Sequence, residues 1–185
     1  MITSKLIGDI EKFVYKQGAP SIFHIDLARN KAVELARKLK GDEKVVELGA
    51  LLMDCMIAKA LALGKLPEHV KMSEDKVAAL LVKSRLSDEE KANVLRCVRE
   101  HHGVKKFYSL ESEICCNADC YRFASVSGVI GGMINSPGIP LDELAKLYSL
   151  KADEKWNALS LGICKRELKD QYRIIKLFLG SYHKN

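Results

Sequence analysis

Apolar residues recur along this chain at helical spacing. In the segment 21–40, Leu27, Ala28, Ala32, Leu35, Ala36 and Leu39 form one stripe, which Gly41 closes. In the segment 43–59 the stripe is Val45, Leu48, Gly49, Leu52, Cys55 and Met56. Its flanks are less polar than those of a surface helix, so the spacing predicts a central, buried helix there. Segment 4–17 is amphipathic and stops at Gly18-Ala19-Pro20. A short helix over about 73–83 is predicted after the Gly64-Lys65-Leu66-Pro67 loop. Ser87-Asp88-Glu89-Glu90 is a capping box that opens a helix running to His101 or His102, and Gly103 ends it. Further helices are predicted over 109–126, 141–149 and 152–182, the last bent near Leu161-Gly162. Gly128, Gly131 and Gly132 loosen the chain ahead of a break at Ser136-Pro137-Gly138 and Pro140. No repeat and no hairpin chemistry is present. The expectation is an all-α, single-domain bundle of about eight helices over residues 1–185, with its core in 20–126 and C-terminal helices in 140–182.

Composition narrows the class. The 185 residues are 48% hydrophobic and 29% charged, which suffices for a real core without disulfide staples. Thirty basic against twenty-four acidic residues give a net charge of +6, spread without an arginine-rich tail or a lysine run longer than two. Such a balance argues only weakly for nucleic acid and as well for a phosphorylated small substrate. Aromatic residues are few and not interleaved with the basic ones, which makes an RNA-binding reading the weaker one. The opening Met-Ile-Thr-Ser-Lys starts a helical pattern with no signal-peptide core, and the longest apolar stretch, 49–58, is interrupted by Asp54 and too short to span a bilayer. The six cysteines lie inside apolar, helix-like segments, as reduced thiols of a cytosolic protein would.

Several titratable residues sit on apolar stripes. His24 heads the buried face of its helix, three and four residues before Leu27 and Ala28. Asp54 lies between Leu51-Leu52-Met53 and Cys55-Met56-Ile57, where an unpaired carboxylate would cost several kcal/mol. His101 extends the stripe of Cys97 and Val98, Asp119 is embedded in a second apolar helix, and His69 follows Leu66-Pro67-Glu68 in a loop. Carboxylates and histidines projecting inward from separate helices are how bundles build metal sites. The plainer account is a hydrogen-bonded core histidine, and an aspartate that caps a neighbouring helix or pairs with Arg122. Cys115, Cys116 and Cys120 are mid-helix thiols without the paired loop spacing of a zinc knuckle, and the glycines of 128–132 lack the preceding strand and following Gly-Lys of a phosphate loop.

Taken in order, these residues resemble the HD-domain superfamily of metal-dependent phosphohydrolases. Phe23-His24-Ile25 resembles the helix of that family's first ligand, and Glu47-Leu-Gly-Ala-Leu-Leu-Met53-Asp54 its Ala-Leu-Leu-His-Asp segment. Glu68-His69 resembles its loop histidine, Val98-Arg-Glu-His101-His102 its next histidine, and Asn117-Ala-Asp119 its closing Ala-Asp. The match spans roughly residues 20 to 180. The doublet histidine is replaced by Met53, whose soft thioether suits Cu(I) rather than the harder divalent ions.

The resemblance implies an all-helical fold and a divalent ion (Mn, Fe, Ni, Zn or Mg) held by His24, Asp54 and Asp119. It implies catalytic roles for Asp54, His69 and His101, the two histidines serving as second-metal or substrate ligands, with His102 left out. A metal-activated water would attack the phosphorus of a nucleotide or other phosphomonoester. Lys105, Lys106 and Arg122 are the candidate phosphate partners, each more simply read as a solvated charge. The competing expectation is a degenerate domain that lost turnover with the Met53 histidine and binds a ligand or partner. Expected partners are thus a phosphorylated small molecule, without nucleic acid or membrane.

Overall fold

The computed structural model describes residues 1–182. Among them the regular elements are all helical: α1 (Ser4–Tyr15), α2 (Ile22–Leu39), α3 (Glu43–Leu52), α4 (Ile57–Ala62), a 3-10 turn (Leu66–Glu68), α5 (His69–Val82), α6 (Asp88–Glu100), α7 (Leu110–Ala124), α8 (Val126–Ile134), α9 (Leu141–Ala158) and α10 (Gly162–Tyr182). Side-chain oxygens of Thr3, Ser21, Asp42, Ser87, Ser109 and Ser125 accept from the first free amides of six of these helices. The capping box at Ser87 forms as its sequence predicts, Glu90 answering the Ser87 amide.

Helix α7 is the axis of the molecule. It packs on α2, α3, α6, α8 and α9, and its residues 114–122 are buried without interruption. A helix covered on all sides cannot keep a polar face, and α7 puts Cys115, Cys116 and Cys120 where small side chains let neighbours approach. All six cysteines are free and buried. The main core joins α1 to α7 with Leu159, Cys164 and Leu168, and a smaller cluster ties Val129 of α8 to α9 and α10.

Three stretches depart from the pattern predicted by periodicity. The helix expected over 43–59 divides into α3 and α4, because the backbone tightens at 53–56: the Cys55 amide reaches back to Leu52 O and the Ile57 amide to Asp54 O. The Met56 amide leaves the helix and donates to Ser73 Oγ of α5. The glycine-rich stretch is helical, as α8, because its glycines let other side chains press on the helix. A Cβ on Gly132 would come within 2.5 Å of the His24 ring and 2.1 Å of the Tyr148 hydroxyl. Finally, α9 runs unbroken through 149–152, and the break falls at 159–161. There Asn117 Oδ1 accepts from the Ser160 and Leu161 amides.

Candidate metal centre

The tight turn after α3 aims Asp54 at the ends of two other helices. His69 enters from the first turn of α5, and His101 from the C-terminal end of α6. Asp54 Oδ1 lies 3.4 Å from His69 Nε2 and 3.4 Å from His101 Nε2. In each ring the other nitrogen is taken: His69 Nδ1 donates to Leu66 O at 2.7 Å, and His101 Nδ1 donates to Val98 O at 2.7 Å. Each Nε2 is therefore the ring nitrogen left facing Asp54 Oδ1. Both nitrogens and Asp54 Oδ1 are buried without a hydrogen-bond partner.

His102 joins the group from above, its ring 4.4 Å from that of His101 and 4.9 Å from that of His69. One ligand atom from each of Asp54, His69, His101 and His102 lies within 4.8 Å of the others. Both His101 and His102 thus belong to the cluster, His101 wholly buried and the His102 side chain 35% exposed. Burial, then the neighbouring His101 and Lys155, pushes His102 down to about 3, so it is neutral at physiological pH.

A second layer of charge lies beneath. Arg122 Nη1 donates to Asp54 Oδ2 at 2.6 Å and to Asp119 Oδ1 at 2.7 Å. Lys155, from α9, places its Nζ 2.6 Å from Asp119 Oδ2. Burial alone would raise both carboxyl pKa values. Arg122, followed by His101 and His69, overcomes it at Asp54, and Lys155 with Arg122 overcomes it at Asp119, so both are held well below the usual carboxylate range. His69 is raised by its contact with Asp54, against the effect of burial. Two carboxylates and two cations leave this layer neutral.

Other residues singled out in the sequence lie apart from the cluster. His24 Nε2 is 3.0 Å from the carbonyl of Gly128, and its ring packs against Phe123 and Tyr148. Burial, then the Arg122 charge, pushes it down to about 4, which leaves a neutral imidazole donating to that carbonyl. Met53 is buried at the end of α3. Lys105 and Lys106 are exposed on the loop after α6 and do not line the cleft beside the cluster. That cleft, of about 100 Å³, is walled by Ile57, Leu66 and Phe123 and carries Lys151 and Lys155. Sequence reading missed both lysines. A signal for Lys155 does exist: Tyr148, Ala152 and Lys155 share a stripe of α9 at helical spacing.

The donor set fits a divalent ion. A carboxylate oxygen with imidazole nitrogens suits Zn, Fe, Ni or Mn, and the Nδ1–H to carbonyl bonds are what hold ligand histidines in the required tautomer. The thiols are otherwise disposed: burial pushes Cys55 up to about 12, and no cysteine joins the group.

No family model and no curated protein matches the sequence. Solved structures do match the fold. A predicted HD superfamily hydrolase from an uncultured Thermotogales bacterium aligns with 96% of this chain and 91% of its own at 17% identity, with a TM-score of 0.67. Bacillus subtilis YpgQ in complex with ADP aligns over 96% of both chains at 16% identity, TM-score 0.66. An HD-superfamily hydrolase from Bacillus thuringiensis aligns over 97% and 96% at 18% identity, TM-score 0.62. At these levels the likeness is one of fold, and this chain has the fold of the HD superfamily hydrolases.

Proposed function

We propose that this protein is a metal-dependent phosphohydrolase whose ion is held by Asp54, His69 and His101, with His102 beside them, and whose substrate is a nucleotide or another phosphomonoester. One observation carries the reading. Two imidazole nitrogens each lie 3.4 Å from one carboxylate oxygen, and all three atoms are buried without a hydrogen-bond partner. Leaving three buried polar atoms unpartnered is costly, and a cation answers all three at once.

A divalent ion supplies Lewis acidity there, lowering the pKa of water and neutralising charge on phosphoryl oxygens. The chain's own groups do the rest. Asp54 stays ionised, and the carbonyls of Leu66 and Val98 fix the two imidazoles. Since Arg122 and Lys155 are offset by Asp54 and Asp119, Lys151 is the cleft cation left to draw a phosphate, with Glu154 at 2.7 Å as its only close counter-charge among the described residues. Ile57, Leu66 and Phe123 limit water on the apolar side, which strengthens each charge interaction. The cleft holds about three water volumes, enough for one phosphoryl group. ADP in the complex of YpgQ, which shares the fold, supports a nucleotide as the substrate.

A second reading, a catalytically inert binding domain, is favoured by Met53 and by the guanidinium between the two aspartates. Hydrolysis separates them. Purified protein supplied in turn with Mn, Fe, Ni, Zn and Mg is assayed for phosphate release from nucleoside phosphates and a generic phosphomonoester. The proposal expects release with at least one ion and a loss of 100-fold or more in His101→Ala. Inertness with every ion would leave the binding domain.

A further inference from the structure

We propose that Arg122 is a built-in cation that closes the Asp54–Asp119 carboxylate pair to metal, so that a single ion is confined to the Asp54–His69–His101 side. The second half of this statement rests on the metal centre proposed above; the first half does not. Arg122 Nη1 alone donates to both carboxylates, at 2.6 and 2.7 Å. An ion bridging Asp54 Oδ2 and Asp119 Oδ1 would need bonds of roughly 2.0–2.2 Å to each, and so would stand where that nitrogen stands. The guanidinium cannot yield by losing its proton.

The remaining ligand positions on that side are closed as well. Lys155 holds Asp119 Oδ2 at 2.6 Å, so both Asp119 oxygens face cations. His24 spends its Nε2 on the Gly128 carbonyl, 3.0 Å away. Met53, one residue before Asp54, offers only a soft sulfur. Arg122 is itself fixed: it is 5% exposed, spaced i,i+3 from Asp119 on one helix, with its guanidinium 5.7 Å from the Phe123 ring centre. Asp54 is the hinge of the arrangement, giving Oδ2 to Arg122 and keeping Oδ1 for the histidines.

Cobalt(II) or zinc(II) alone is the probe, with stoichiometry and spectra read rather than turnover. The wild-type protein is expected to take one Co(II) per chain. Asp119→Asn should keep Co(II) affinity within about threefold of wild type, whereas Asp54→Asn should lose it. Met53→His combined with Arg122→Gln opens the pair and should admit an additional ion that a further Asp119→Asn change removes. If that double variant does not fold, the wild-type protein still decides: the protected Nη–H signals of Arg122 in ¹⁵N spectra, identified by their loss in Arg122→Lys, should persist in excess Zn(II). A second ion in the wild type, loss of binding in Asp119→Asn equal to that in Asp54→Asn, displacement of the Arg122 signals, or a folded double variant that gains no ion would overturn the proposal. A wild type that binds no ion, with a double variant that gains one through Asp119, would sink the metal centre proposed above and leave the Arg122 closure standing.

Discussion

His24 shows how far a residue's partner decides its chemistry. Its place on an apolar stripe was legible in the sequence, and so was its burial. Its partner, the carbonyl of Gly128, is 104 residues away and carries no sequence signal. With a folded pKa of about 4 against about 6.5 in an unfolded chain, the unfolded state binds more protons between those values. Stability is therefore expected to rise with pH through that window and to fall as the solution is acidified from 6.5 to 4. The slope from this one group approaches 1.4 kcal/mol per pH unit at most. Urea midpoints measured from pH 4 to 7 should show the wild type losing more stability on acidification than His24→Gln. His69, whose pKa moves the other way, is common to both proteins and cancels in the comparison. Parallel curves would contradict the burial of a neutral His24.

At the scale of elements, the site depends on where helices stop. Periodicity finds α2, α6 and α7 because their apolar stripes and serine caps agree. It cannot find the break between α3 and α4, since Met53-Asp54-Cys55-Met56 contains no glycine or proline and the turn is drawn out by Ser73 from another helix. Ser73 is fully buried, so Ser73→Ala leaves the Met56 amide without its acceptor. A loss of about 1–3 kcal/mol in chemical denaturation is expected, together with weaker metal binding as Asp54 loses its fixed turn. Gly49, on α3, tests the packing behind that turn. A Cβ there would meet Cys97 Cβ at 2.5 Å and Cys115 Sγ at 3.2 Å. Gly49→Ala gains about 1 kcal/mol in helix propensity but overpacks a three-helix contact at a cost of about 1–3 kcal/mol, so a net fall in Tm is expected. A Tm at or above wild type would show that α6 and α7 yield more easily than their burial implies.

Across the whole molecule, a neutral layer of two carboxylates and two cations sits inside a core made mainly of Leu, Ile, Val, Ala and Cys. The fold class, the placement of Asp119 inside a helix and of His101 at a helix end, and the embedding of the cysteines were all legible from spacing; Asp54, expected inside a helix, lies in the turn after α3. The pairing of an aspartate with Arg122 was one of the readings open there, but the part of Lys155 was not, because it lies 36 residues beyond Asp119 and lysines are ordinarily solvated. Nor was the inclusion of His102, which follows from how α6 ends rather than from its stripe. Among the described residues no helix is long and apolar enough to cross a membrane. An ion that binds only the folded state adds stability with concentration, about 2.7 kcal/mol at 100 times its Kd. Stripping the protein with a chelator is thus expected to lower Tm, and returning the ion to restore it, in the wild type but not in Asp54→Asn.

Asp54, His69 and His101 together are proposed to hold one ion. Calorimetric titration of chelator-treated protein with Mn(II), Zn(II) and Co(II), repeated on folded His69→Ala and His101→Ala, tests it most directly. One ion per chain is expected for the wild type, with a loss of affinity of 100-fold or more in either variant. Undiminished binding in both variants, or no binding of any of these ions to the wild type, would contradict it.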